Sequence, residues 1–237
     1  MKFRIKRYFE KKESIKEYDI PLKDPTLLEA LQYIKMKTDP SLTFSSGCRS
    51  EVCGSCAVRV NGKEKLSCGY KLKDGDFVEA LNHATVIKDL VVDTEKPLNT
   101  LKSSSASLKE FKKCSMTLED EKKIEKQSDC ILCTSCFSVC PVLEIDGEFL
   151  GPFSLSRVYR YVNDKREGDI KEKIDTVQKK GIWDCTLCGE CTAVCPQGID
   201  PKNDILMLRV KSSEFGYSDP NFISGGFGDF GGFNPDF

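Results

Sequence analysis

Cys130-Ile131-Leu132-Cys133-Thr134-Ser135-Cys136-Phe137-Ser138-Val139-Cys140-Pro141 is the stretch on which the fold turns. It has the C-x2-C-x2-C-x3-C-P spacing that binds 4Fe–4S clusters in pairs, three thiolates holding one cluster and the fourth reaching across to the other. A second copy, Cys185-Thr186-Leu187-Cys188-Gly189-Glu190-Cys191-Thr192-Ala193-Val194-Cys195-Pro196, follows at an offset of 55 residues. The doubled run predicts one 4Fe–4S cluster on Cys130, Cys133, Cys136 and Cys195, and another on Cys140, Cys185, Cys188 and Cys191. Pro141 and Pro196 end each turn, since proline has no N–H to donate. Between the copies, Leu155, Val158, Tyr159 and Val162, then Ile170, Ile174 and Val177, recur at helical spacing, so this region reads as mostly α.

Working outward towards the N-terminus, a different constellation appears: Cys48-x4-Cys53-x2-Cys56-x11-Cys68. Its opening is the plant-type 2Fe–2S spacing. Gly47 and Gly54, with the small Ser46 and Ser55, let the backbone come close and donate N–H groups to sulfur. Four-cysteine zinc is the alternative for all three constellations, although this spacing suits it less well than paired CxxC knuckles would. Phe3, Ile5, Arg7 and Phe9 alternate at period two, and Ala57 to Val60 run into Asn61-Gly62, a hairpin turn, with Lys65 to Ser67 beyond. Asp24-Pro25 precedes Leu27, Leu28, Leu31 and Ile34 at helical spacing. Lys73-Asp74-Gly75-Asp76 is a further turn before Phe77, Val78 and Ala80. The fold class is therefore α+β.

The expected domains are 1–102, a 2Fe–2S domain; 103–211, a helical domain with two 4Fe–4S clusters; and 212–237, a tail of six Gly and six Phe with no fold of its own, suited to ordering against a partner. Residues 102–126, with Ser103 to Ser105 and a Lys/Glu-rich stretch, read as a linker entering solvated helix.

Composition removes most other functions. Thirty-six Lys and Arg face 37 Asp and Glu, a net charge of −1 that draws no nucleic acid. The single histidine, His83, rules out a Rieske centre and a Cys2His2 zinc site, each of which needs two. It also leaves a histidine-based catalytic centre with nothing nearby marking a nucleophile. No window is long and apolar enough to span a membrane, and Met1 to Arg7 lacks the apolar stretch of an export signal. The 13 cysteines are odd in number and clustered, unlike disulfide staples. Cys114 is left over as an ordinary thiol. Three clusters with no GxGxxG and no P-loop describe a chain that moves single electrons between sites it does not itself contain.

The order and size of these domains resemble the iron–sulfur subunit of succinate dehydrogenase and fumarate reductase complexes. The resemblance rests on Cys48-Arg49-Ser50-Glu51-Val52-Cys53-Gly54-Ser55-Cys56-Ala57, on Val86-Ile87-Lys88-Asp89-Leu90-Val91-Val92-Asp93 and on the Cys130 run, and it extends to about residue 210. It implies a β-grasp N-terminal domain, a helical C-terminal domain, and a place between an FAD-containing flavoprotein subunit and a membrane-associated, quinone-reactive subunit. Such a subunit belongs to an oxidoreductase while holding no substrate site itself.

In most of that family the position of Cys188 is not cysteine and the cluster is 3Fe–4S. Here Cys188 supplies the missing thiolate and implies 4Fe–4S, with 3Fe–4S as the alternative. Thr186 replaces a histidine placed near quinone, and Ile145 lies about where a tryptophan is expected. Trp183 reads as a core residue, with shielding of the cluster as the other option. Cys188 and the lost quinone residues are similar to the branch whose third subunit carries cysteine-rich repeats, to which methylmenaquinol:fumarate reductases belong. The expected location is peripheral on a prokaryotic inner membrane, on the cytoplasmic face by default and on the periplasmic face if co-exported with the flavoprotein. A relay serving a thiol-driven fumarate reductase and a zinc-stabilised interaction module are the alternatives.

Overall fold

Alternation along β1 (Lys2–Phe9) buries Phe3, Ile5 and Arg7 on one face. Phe9, the fourth member of the series, is 54% exposed because the strand has run past the core, and the Lys88 ammonium lies over its ring. In this computed structural model, which describes residues 1–220, β1 pairs antiparallel with β2 (Lys12–Asp19). Next, α1 (Leu27–Tyr33) opens on a capping box: the Thr26 hydroxyl accepts from the Glu29 N–H and the Glu29 carboxylate accepts from the Thr26 N–H. The helix runs on into a π-helical turn, Ile34–Thr38. After the Cys48–Cys56 loop come β3 (Ala57–Val60) and β4 (Lys63–Leu66). Asn61 and Gly62 between them both have positive φ, 51° and 78°, as a tight primed hairpin turn demands.

β5 (Phe77–Glu79) then inserts between β1, to which it is parallel, and β3, to which it is antiparallel. The sheet order is β2-β1-β5-β3-β4. Leu27, Leu31 and Ile34 share one core with Ile5, Val58 and Val78, each such side chain contributing roughly 1.5–3 kcal/mol of burial. A mixed sheet with one helix packed on it matches the expected β-grasp architecture. Arg7 is the polar member of this interior. It donates from Nε and Nη2 to Asp89 (2.8 and 3.1 Å) and from Nη1 to Asp39 (2.7 Å). Burial works against its charge, but the two carboxylates outweigh that and raise its pKa. The pair ties the ribbon of β6 (Val86–Lys88) and β7 (Val91–Val92) to the sheet.

The rest of the described chain is helical: α2 (Glu95–Ser103), α3 (Leu118–Lys122), α4 (Glu125–Ser128), α5 (Ser135–Ser138), α6 (Pro141–Ile145), α7 (Pro152–Val162), α8 (Ile170–Thr176), α9 (Glu190–Ala193) and α10 (Pro201–Glu214). At the centre, α7 buries Leu155, Val158 and Val162 against Ile174 of α8 and Ile205 and Leu208 of α10. The boundary expected at residue 102 lies within α2, whose Thr100 hydrogen-bonds Ser154 of α7 and whose Leu101 packs on the helical core.

Of the stretch read as a linker entering solvated helix, residues 104–117 are the non-helical part, and α3 and α4 follow with no buried residues. Residues 104–117 form an irregular strap. The Lys173 ammonium, fully buried, takes the carbonyls of Ser105 and Ser107 and pairs with Glu167 at 2.9 Å. Glu167 in turn accepts from the Lys109 and Glu110 N–H groups. At the other end, α10 continues to Glu214, so the segment read from Ser212 as a foldless tail begins inside a helix. The Phe-rich residues 221–237 and their expected docking lie outside the described residues.

Candidate cluster sites

The two Cys runs have the same backbone. Leu132 and Leu187 take φ of 53° and 54°, Thr134 and Gly189 take 60° and 86°, and a one-turn helix, α5 or α9, follows each. Left-handed residues between cysteines turn successive N–H groups inward, which suits a negatively charged cluster. The Leu187 N–H lies 3.4 Å from Cys185 Sγ, and the Leu132 N–H reaches Cys130 in the same way. The copies part at the proline: Pro141 opens α6 at once, whereas Pro196 enters a loop leading to α10.

Tertiary packing crosses the ends of the two runs. Cys130, Cys133, Cys136 and Cys195 line one cavity of about 30 Å³, walled by apolar groups including Leu132, Phe153 and Ile199. Cys140 instead sits among Cys185, Cys188 and Cys191, and burial followed by these neighbours pushes the Cys191 thiol up to about 12. Cys136 is pushed well above the thiol range by burial, then by Cys133, Cys130, Cys191 and Cys195. Metal binding releases thiol protons, and all-sulfur donors in an apolar wall fit a 4Fe–4S group.

In the N-terminal loop the Cys48 N–H reaches Cys53 Sγ and the Ser50 N–H reaches Cys48 Sγ, both at 3.3 Å, while Cys56 and Cys68 bring their sulfurs to 3.4 Å. The Ser55 hydroxyl and the Cys48 and Ser55 amides hold the Cys53 thiol down at about 6. Burial and the neighbouring Cys56 push Cys68 up to about 11. A Cβ on Gly47 would stand 2.7 Å from Cys53 Sγ, so the glycine makes room for that sulfur.

The three sets touch in sequence. Gly54, at φ 72°, lies so close to the first run that a Cβ there would be 2.8 Å from both Cys133 Cβ and the Ile131 carbonyl oxygen. The one-turn helix α5, which carries Cys136 of the second set, packs against α9, which carries Cys191 of the third. The two exposed cysteines are Cys48, in the first set, and Cys188, in the last. Cys114 stands apart, its Sγ 3.6 Å from the Lys165 carbonyl. Trp183 is half-buried against the helical core and donates to Gln178, which fits the core reading. Ile145 is 91% exposed.

Sequence reasoning missed the residues that join the domains: Glu64, Asn82, His83 and Ser138. One signal was available. Leu66 points inward on β4, so alternation places the charged Glu64 inward too.

Residues 2–99 match the 2Fe-2S iron-sulfur cluster binding domain and residues 126–199 the 4Fe-4S dicluster domain. Over 235 residues the chain is 36% identical to the 8-methylmenaquinol:fumarate reductase iron-sulfur subunit of Wolinella succinogenes, covering 91% of this chain and 74% of that one. It belongs to the family of fumarate reductase and succinate dehydrogenase iron–sulfur subunits. Another family member, the fumarate reductase iron-sulfur subunit of Haemophilus influenzae, is 34% identical over 83% of this chain and 86% of its own length. A chain of the Mycobacterium smegmatis Sdh1 complex in the apo form shares the family fold, with a TM-score of 0.81 at 21% identity, over 92% of this chain and 97% of that one. Family membership makes this chain part of a multi-subunit oxidoreductase with 2Fe–2S and 4Fe–4S domains. Among the described residues no helix is long and apolar enough to cross a membrane.

Proposed function

We propose that this chain relays single electrons in a quinol:fumarate reductase, between the FAD of a flavoprotein subunit at the Cys48 end and a membrane-associated, quinone-reactive subunit at the Cys188 end. The observation that carries this reading is the continuous series of cysteine sets. The first meets the second at Gly54 and Cys133, the second meets the third where α5 packs on α9, and each end of the series is exposed. Cys48, Cys53, Cys56 and Cys68 hold 2Fe–2S; Cys130, Cys133, Cys136 and Cys195 hold the middle 4Fe–4S; and Cys140, Cys185, Cys188 and Cys191 hold the terminal 4Fe–4S. When bound, the clusters supply one-electron redox steps. The chain's own part is to space them, donate N–H groups to their sulfurs and exclude water from the middle site.

The name of the Wolinella relative supports a methylmenaquinol donor, and Cys188 supports the branch with a cysteine-rich partner. The chain would sit peripherally on a prokaryotic inner membrane, held there by its partners, with the flavoprotein deciding the face. Iron and labile-sulfide analysis of anaerobically purified protein, with EPR of both redox states, tests the reading. We expect about ten irons per chain and, with the flavoprotein present, reduction of the clusters by succinate. Colourless, iron-free protein would overturn it.

A further inference from the structure

The N-terminal domain grips one turn of the helical domain, Phe137 to Cys140, which links a cysteine of the middle set to one of the terminal set. Glu64 of β4 is buried, and its Oε1 accepts from the Ser138 hydroxyl at 2.8 Å. The Asn82 N–H donates to the same Ser138 oxygen at 2.8 Å. Arg59 of β3 braces both, with Nη1 donating to Asn82 Oδ1 at 3.1 Å and Nε lying 3.3 Å from Glu64 Oε1. Beside Asn82, His83 sets its ring edge-on to Phe137 at 6.5 Å, meets the Cys140 backbone and has Nδ1 3.8 Å from Glu144. Glu64 Oε2 has no hydrogen-bond partner among the described residues, so Ser138 is the neutral donor this buried carboxylate depends on.

The internal repeat supplies a built-in comparison. The second run carries Ala193 where the first carries Ser138, within a backbone of the same shape, so the hydroxyl is not needed to form a Cys run. It is present in the copy whose turn hydrogen-bonds Glu64 and Asn82, whereas the second run meets the same domain through Gln197, whose side-chain amide donates to the Glu51 carbonyl at 3.1 Å. A few residues away, Gly54 rests on Cys133 with no room for a Cβ, so a small shift at the joint changes the closest approach of the first and middle sets.

We propose that Ser138, held by Glu64 and Asn82, is a positioning residue that sets the separation of the 2Fe–2S cluster from the middle 4Fe–4S cluster. The inference rests on the ligand sets proposed above. Its test uses the full chain, purified anaerobically and reduced with dithionite. The readout is the microwave-power saturation of the 2Fe–2S EPR signal, which a nearby reduced 4Fe–4S cluster relaxes. Ser138→Ala should keep the wild-type iron content and the individual cluster signals but lose this relaxation enhancement. Glu64→Gln, whose amide oxygen still accepts the Ser138 bond, should retain it.

Unchanged enhancement in Ser138→Ala overturns the proposal. So does loss of iron in that variant, which would give Ser138 a part in cluster binding instead of spacing. Enhancement lost in Glu64→Gln yet kept in Ser138→Ala assigns the spacing to the carboxylate charge and overturns it as well. Wild-type protein without iron–sulfur signals would defeat the underlying relay reading, a result distinct from all of these.

Discussion

Asp204 on α10 is buried, and among the described residues only the Ser156 hydroxyl and the Gln127 amide donate to its carboxylate. Burial pushes its carboxyl up to about 6, and these two bonds offset the push only in part. Its folded pKa therefore exceeds its unfolded value of 3.8, and between the two the native state binds the extra proton. Stability contributed by this group is present below the unfolded pKa and falls as pH rises to about 6, by roughly 3 kcal/mol. Asp204→Asn preserves both contacts, because the new amide accepts from Gln127 and donates to Ser156. Urea titrations should show the variant more stable than wild type at pH 8 and no longer at pH 4. Parallel pH profiles for the two proteins would contradict this.

Cys188 gives the second prediction at this scale. Cys188 is the exposed thiol of the terminal set, and with the ligand set proposed above its iron is expected to be lost first. Cys188→Ser should convert that cluster to 3Fe–4S, read as one fewer iron and a 3Fe–4S EPR signal in the oxidised protein. That Cys195 lies with Cys130, Cys133 and Cys136 was legible from spacing, because consecutive thiolates on a tight loop have few ways to surround a cluster. Alternation on β4 marks Glu64 as inward, but its pairing with Ser138 was hidden, because a side chain's partner on another domain leaves no local pattern.

At the scale of elements, the β-hairpin, α1 and the two Cys runs were readable because each is specified by neighbours in sequence: Asn61-Gly62, the Thr26–Glu29 box and the alternating left-handed residues. The strap at 104–117 was not, since its conformation is imposed by Lys173 and Glu167, more than fifty residues away. Glycines in these loops allow a controlled comparison. Gly189 and Gly54 both have positive φ, but a Cβ at Gly189 meets nothing closer than Lys202 Cδ at 3.6 Å, whereas one at Gly54 strikes the Cys133 backbone. Gly189→Ala should cost about 1 kcal/mol, the backbone penalty alone. Gly54→Ala should cost clearly more, because it also forces the domains apart. Denaturant unfolding of the two variants with clusters intact checks the order, and equal costs would refute the close approach.

For the whole molecule, the strap and the interdomain joint convert two modules into one relay. The Lys173–Glu167 pair is fully buried. Burial alone would raise the Glu167 carboxyl, but the Lys109 amide, Lys173 and the Glu110 and Asp169 amides pull it below the usual range. Its stabilisation is therefore present above the unfolded pKa near 4.5 and lost as pH falls through the lower folded value. Lys173→Met would leave that carboxylate without its cation, costing on the order of 3–5 kcal/mol. The expected result is a lower melting temperature together with early proteolysis between residues 104 and 117, and a melting temperature like wild type would count against the strap's role.

The 2Fe–2S and 4Fe–4S domains and their order follow from the local order of the chain, because loops short enough to hold a cluster leave the spacing of their cysteines little freedom. How close the cysteine sets stand, which cysteines face outward and that α2 rests on the helical core were settled only by packing. Those features depend on residues far apart in sequence meeting across an interface, where shape and buried hydrogen bonds, not periodicity, select the arrangement.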